Sequence, residues 1–179
     1  ASVGRGTLSV FQPLRAAVFS TGDEVRDPSD DAPDGCIFDA NRYTVLGMLK
    51  DLGCHVTDLG ILSDDEDSMA VALATAAAEH DVLLTSGGVS AGEEDHVKAA
   101  VERNGQIDFW RLSIKPGRPI ALGQVAGTAF VGLPGNPVAA LLGFNQFVRP
   151  ALQRMMGEKN DSSFTVPARL TVEMRKKPE

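Results

Sequence analysis

Asp81-Val82-Leu83-Leu84-Thr85-Ser86-Gly87-Gly88-Val89-Ser90-Ala91-Gly92-Glu93-Glu94-Asp95 is an apolar run that opens into a glycine-rich loop. Val82-Leu83-Leu84 has the length and residue type of a buried strand. His96 to Arg103 follows, with Val97, Ala100 and Val101 recurring at helical spacing. The loop therefore leaves the carboxyl end of a strand and opens a helix. In an open α/β sheet ligands bind at that place, because helix N-termini and free backbone N–H groups point into the crevice. The glycines allow close approach of the main chain, Ser86 and Ser90 add hydroxyls, and Asp95 brings a carboxylate to the helix mouth. No G-K-[ST] follows and the glycines lack G-x-G-x-x-G spacing, so this is neither a Walker loop nor a dinucleotide fingerprint. A plain glycine turn with a Ser or Asp helix cap competes as an explanation of this loop taken alone. A second loop of the same kind, Leu133-Pro134-Gly135-Asn136-Pro137, weighs against it.

Working outward, Ala16-Ala17-Val18-Phe19-Ser20 is the first strand, ending in Thr21-Gly22-Asp23-Glu24. Arg26 to Gly35 holds Pro28, Pro33 and several aspartates, the composition of a mobile surface loop. A helix begins at Asp39-Ala40-Asn41-Arg42, with Tyr43, Leu46, Leu49 and Leu52 as its apolar stripe and Gly53 at its end. Val56 to Leu59 is a strand, and Ser63 or Asp64 caps an alanine-rich helix from about Asp67 to His80. Ile107–Leu112, Ile120–Gly123 and Thr128–Gly132 are strands whose short connections predict an antiparallel edge. Val138 to Met156 is a long apolar helix, kinked at Pro150. Phe164 to Met174 alternates apolar and polar residues like a further strand.

Alternating β and α segments with ligand-type loops at strand ends predict a doubly wound, three-layer α/β/α sandwich, its sheet mostly parallel. Residues 1–15 form a lead-in, residues 16–158 the α/β domain, and residues 159–179 a linker with the start of a C-terminal β domain. The chain starts at Ala1 and ends at Glu179 within an unfinished segment, as a piece of a longer protein would.

The chain has 179 residues, is 43% hydrophobic and carries a net charge of −7. No Lys/Arg run makes a nucleic-acid footprint, and no segment reaches the roughly 20 apolar residues of a membrane span. A cytoplasmic protein without membrane or nucleic-acid partners is expected. Cys36 and Cys54 are too few for a disulfide framework, and His55 and His80 lack the spacing of zinc ligands.

Four strand-end loops contribute polar groups: Ser20, Thr21, Asp23 and Glu24; Asp64 and Asp65; Ser86 to Asp95; and Lys115 with Arg118. The topology gathers them at one edge of the sheet. Lys115-Pro116-Gly117-Arg118 and the helix N-termini suit an oxyanion. Asp23 or Glu24, Asp64 and Asp95 suit Mg²⁺, a hard cation that bridges phosphates. Trp110 is read as core, and His96 as the one histidine placed for acid/base work.

Taken in order, Ser20-Thr21-Gly22-Asp23-Glu24, Ile37-Phe38-Asp39-Ala40-Asn41-Arg42, Leu59-Gly60-Ile61, Asp64-Asp65, Thr85-Ser86-Gly87-Gly88-Val89-Ser90, Lys115-Pro116-Gly117-Arg118-Pro119 and Leu133-Pro134-Gly135-Asn136-Pro137 resemble the central domain of the molybdopterin molybdenumtransferase (MoeA) family, which includes the gephyrin E domain. The resemblance covers about residues 16–157. It implies a MoaB/Mog-like fold that binds adenylylated molybdopterin and molybdate, releases AMP with Mg²⁺, and inserts molybdenum into the dithiolene. By motif, Glu24, Asp64 and Asp95 would be the functional and metal-holding carboxylates, with Lys115 as a fourth catalytic group. Ser20, Thr21, Gly22, Ser86, Gly87, Gly88, Ser90, Gly92, Arg111, Arg118, Pro134, Gly135 and Asn136 would bind the cofactor. A homodimer of the full-length protein and an adenylyltransferase partner are also implied. The sequence departs from the family at Arg111 and Arg118, where lysines are common, and at His96, where an aromatic residue is usual. Two alternatives stand beside this one: a molybdopterin adenylyltransferase, whose loop is closer to T-G-G-T-G, and a non-catalytic scaffold module of the gephyrin type.

Overall fold

Uncharged apolar runs become the middle of a six-stranded sheet. The computed structural model describes residues 4–88, 96–111, 119–159, 166–169 and 171. Strand β1 (Arg15–Thr21) is buried from Ala16 to Thr21, which is why no charge interrupts it. It pairs in parallel with β4 (His55–Leu62) on one side and β5 (Val82–Ser86) on the other. Strand β5 pairs in parallel with β8 (Thr128–Leu133). Beyond β8 the sheet turns antiparallel, through β7 (Pro119–Val125) to β6 (Gly105–Arg111), as the short connections predict. The order is β4-β1-β5-β8-β7-β6. Two short strands, β2 (Val25–Arg26) and β3 (Ile37–Phe38), pair separately in parallel.

Among the described residues five α-helices cover the sheet: α1 (Ala40–Asp51), α2 (Glu66–Glu79), α3 (His96–Asn104), α4 (Pro137–Gly143) and α5 (Arg149–Met155). Side chains alternate along β1. Ala17 and Phe19 meet Met69, Leu73, Val97 and Val101 of α2 and α3, while Ala16 and Val18 meet Val45, Leu49, Phe144 and Leu152 on the opposite face. The three-layer α/β/α arrangement follows. From β1 the chain crosses to β4 on one side, then back over to β5 on the other. The crevice at the carboxyl ends of β1 and β5 is thus a topological switch point, where open α/β sheets bind ligands.

Three local readings change. The buried face of α1 is Arg42, Val45, Leu46 and Leu49, with Tyr43 exposed, because ion pairing draws the arginine inward. The cap of α2 is Asp65, whose carboxylate accepts from the Ser68 N–H, and not Ser63 or Asp64. The predicted kink before Pro150 is a π turn, Phe144–Val148, in which the Arg149 N–H donates to the Phe144 carbonyl. A proline lacks an N–H and crowds the carbonyl four residues back, and a wider turn relieves that crowding. Cys36 and Cys54 are unpaired thiols. Residues 166–169 and 171 are exposed and not in a strand; the rest of the predicted tail strand lies outside the described residues.

Candidate functional site

The switch point opens into a cavity of about 810 Å³, a size typical of small-molecule sites. Its floor is made by the last residues of β1 and β5. Ser20 and Ser86 are register partners there, buried to 1% and 5% exposure. They sit on the side of the sheet that faces α1 and α4, continuing the alternation of Val18 and Leu84. Neither hydroxyl has a hydrogen-bond partner among the described residues, and neither does that of Thr85 on the opposite face. Buried polar groups are nearly always satisfied, so two adjacent orphan hydroxyls on residues that line a cavity make its floor the candidate contact for a ligand's polar atoms.

Beyond Ser86 the chain turns through Gly87 and Gly88. The Gly87 N–H donates to the Leu133 carbonyl at 3.1 Å, tying this loop to the end of β8. Gly88 adopts φ +64, and a Cβ there would lie 2.6 Å from Val97 Cγ2 and 2.7 Å from Thr21 Cγ2. Only glycine fits, and its backbone is left open to the cavity.

Strand β4 delivers a carboxylate to the same wall. Its pairing with β1 slips between Val18 and Ser20, where Leu59 and Gly60 stand opposite a single residue. Gly60 takes φ +75 and its N–H donates to Asp58 Oδ1 at 2.9 Å, so the bulge is built by local chemistry. After this bend Asp64 reaches the cavity and accepts a hydrogen bond from the Thr21 hydroxyl. Glu24 lines the cavity from the loop after β1 and is exposed.

Two helix starts complete the rim. The Asp39 carboxylate accepts from the Arg42 N–H at 3.1 Å, capping α1. Asn136 accepts from the Ala139 N–H at 3.1 Å, capping α4. Asn41 joins the two: its side-chain amide donates to the Gly135 carbonyl at 2.7 Å.

Behind the rim lies a charge cluster. The buried Arg42 guanidinium donates to Asp39 Oδ2 at 2.8 Å and also to Asp27 and Asp58. Burial opposes its charge, but hydrogen bonds to Asp39, Asp58 and Asp27 outweigh that and raise its pKa. Asp27 is held well below the usual carboxylate range by the Ser29 N–H, then by the Ser29 and Tyr43 hydroxyls and Arg42.

Ser20, Thr21, Gly22, Glu24, Asp64, Ser86, Gly87, Gly88, Pro134, Gly135 and Asn136 therefore converge on one cavity. Ser90, Gly92, Asp95, Lys115 and Arg118 lie outside the described residues, and Arg111 is placed only by its backbone, opposite Pro119. Asp23 and His96 line the cavity too, whereas Asp65 is spent on capping α2. Sequence reasoning passed over Ile37, Phe38, Asp39 and Asn41 as site residues, although the Asp-x-Asn start of a capped helix after a strand was a usable signal. Among the described lining residues the charged side chains are acidic, so an anionic group must be met by hydroxyls, backbone N–H groups and helix starts. No group of three His, Cys, Asp or Glu assembles as a metal site among the described residues. None of the described helices is long and apolar enough to cross a membrane.

A family model described as a probable molybdopterin binding domain matches residues 17–154. The chain is 43% identical over 159 residues to the molybdopterin molybdenumtransferase of Haemophilus influenzae, covering 89% of this chain and 39% of that protein. It is 37% identical to molybdopterin molybdenumtransferase 2 of Mycobacterium tuberculosis, covering 88% and 40%. The crystal structure of a molybdopterin biosynthesis moeA protein from Pyrococcus horikoshii superposes with a TM-score of 0.71 at 30% identity, over 81% of this chain and 36% of that one. The chain thus spans about two fifths of the length of the curated relatives it matches.

Proposed function

This chain belongs to the molybdopterin-binding domain family, and from that premise we propose that it is the substrate-binding domain of a molybdopterin molybdenumtransferase. It binds molybdopterin, in adenylylated form, together with molybdate as the second substrate. The full-length enzyme inserts molybdenum into the dithiolene and releases AMP, working as a homodimer supplied by an adenylyltransferase. The observation that carries this reading is the pair of buried, unpartnered hydroxyls of Ser20 and Ser86 on the floor of a cavity at the switch point.

The residues divide the work by chemistry. Ser20, Ser86 and the Gly88 backbone offer neutral donors, which meet the pterin's phosphate without a charge-desolvation cost as large as a buried lysine would carry. Gly135 and Asn136, braced by Asn41, shape the facing wall. Lys115, Arg111 and Arg118 supply the positive charge for molybdate and phosphate that the acidic lining lacks.

Mg²⁺ fits the donor chemistry: Glu24 and Asp64 present hard carboxylate oxygens to one cavity. Asp95 is the third carboxylate of the set. Held by these carboxylates, Mg²⁺ would supply neutralisation of phosphate charge. The Thr21 hydroxyl fixes the rotamer of Asp64, leaving its other oxygen for a ligand.

Calorimetric titration with molybdopterin, with and without Mg²⁺ and molybdate, tests the reading. Saturable binding that Ser20→Ala and Ser86→Ala each weaken is expected. A folded protein that ignores molybdopterin refutes it.

A further inference from the structure

The segment from Gly22 to Phe38 forms one lip of the cavity, carrying Glu24, Ile37 and Phe38 onto it. Apolar packing does little to hold this lip, since Ile37 and Phe38 are 57% and 55% exposed. The Ile37 N–H donates to the Glu24 carbonyl within the lip, and the Asp39 N–H at the α1 cap donates to the Arg26 carbonyl, both at 2.9 Å. The first bond shapes the lip and the second ties it to the start of α1. The attachment is polar. Asp27, midway along the segment, meets the Arg42 guanidinium and accepts from the Tyr43 hydroxyl at 2.9 Å.

Arg42 holds two further carboxylates from separate parts of the chain. Asp39 is the cap of α1, and Asp58 lies at the bulge of β4 that aims Asp64 into the cavity. The arginine side chain is 3% exposed, against 27% for Asp27 and 38% for Asp58, so it is the fixed hub and the carboxylates are its spokes. A planar guanidinium with five donors can serve three partners in fixed directions, which a lysine cannot.

We propose that Arg42 is a positioning residue for the cavity: by clamping Asp27, Asp39 and Asp58 it sets the lip, the start of α1 and the β4 bulge in one geometry for the ligand. Arg42 itself does not line the cavity, so it acts through Glu24, Asn41 and Asp64. This rests on the molybdopterin reading above.

Asp27→Ala is the informative variant, since it frees the lip while leaving Arg42 paired with Asp39 and Asp58; Arg42→Lys in the full-length protein is its companion. Backbone amide exchange and molybdopterin binding are measured on the same samples. The expected result for Asp27→Ala is exchange at Ile37 and Asp39 faster by about tenfold or more, with β1 and β5 unchanged. Molybdopterin affinity should fall by roughly tenfold alongside it. Arg42→Lys should loosen the lip in the same way despite keeping the charge. Unchanged lip exchange overturns the proposal, as does a looser lip with unaltered affinity, or acceleration spread evenly over β1 and β5. Wild type that fails to bind molybdopterin refutes the parent reading, whereas wild type that binds while Asp27→Ala binds equally well refutes the positioning role alone.

Discussion

Replacing Ser86 with alanine should make the ligand-free protein more stable and the liganded protein weaker. The hydroxyl is buried at 5% residue exposure and has no partner among the described residues. A buried unsatisfied polar group costs about 1–3 kcal/mol, and the alanine methyl removes that cost while leaving only a small loss of volume. For a chain of this size 1 kcal/mol moves the thermal midpoint by about 2–4 °C. Scanning fluorimetry without ligand should therefore show Ser86→Ala melting a few degrees above wild type. The same hydroxyl is proposed to meet a phosphate oxygen, and a hydrogen bond to a charged group contributes about 1.5–3 kcal/mol. Molybdopterin affinity should fall by about tenfold to a hundredfold. Ser20→Ala should repeat both signs, because its hydroxyl is buried at 1% and unpartnered in the same way. A variant less stable than wild type without ligand would mean that the hydroxyl is satisfied, and unchanged affinity would mean that it does not face the phosphate. Either result removes the floor of the site from the argument.

Gly88→Ala tests the turn above that floor. The left-handed backbone and the two sub-3 Å contacts of a new Cβ should destabilise the protein by about 2–5 kcal/mol; a midpoint within 2 °C of wild type would refute the packing read there. Asp27 gives a pH signature. Its folded-state pKa is depressed, so its contribution to stability is fully present above the ordinary carboxylate pKa of about 4 and is lost as pH falls below it. The thermal midpoint of Asp27→Asn should decline less steeply than wild type between about pH 4 and pH 2, and parallel curves would exclude the clamp on Asp27.

The strands and their order of use were legible because β1 and β5 are uninterrupted apolar runs, and burial on both faces demands that. The antiparallel edge was legible from loop length, since connections as short as Ala126-Gly127 exclude a crossover. Most of the candidate site followed from one rule, that ligands gather at strand ends on the switch side. What escaped was decided by partners far away in sequence. Nothing local marks Arg42 as buried and Tyr43 as exposed; the reversal depends on Asp27 and Asp58 arriving from either side. Choosing among Ser63, Asp64 and Asp65 as the cap of α2 required knowing that Thr21 would claim Asp64. The π turn replaced a simple kink because Phe144 and Val148, both ahead of Pro150, must stay in the core.

The central place of β1 in the sheet has a consequence during synthesis. This strand is made before both of its neighbours, and until β4 and β5 emerge its two edges carry unpaired backbone groups beside Val18 and Phe19. An apolar strand with two open edges is a template for association with other chains. The exposure ends only when β5 has been translated, so the nascent chain is most vulnerable over the stretch that encodes α1, β4 and α2. Rare codons or pauses placed there would favour aggregation, and pauses after Ser86 would move the open apolar edge from β1 to β5 until β8 is made.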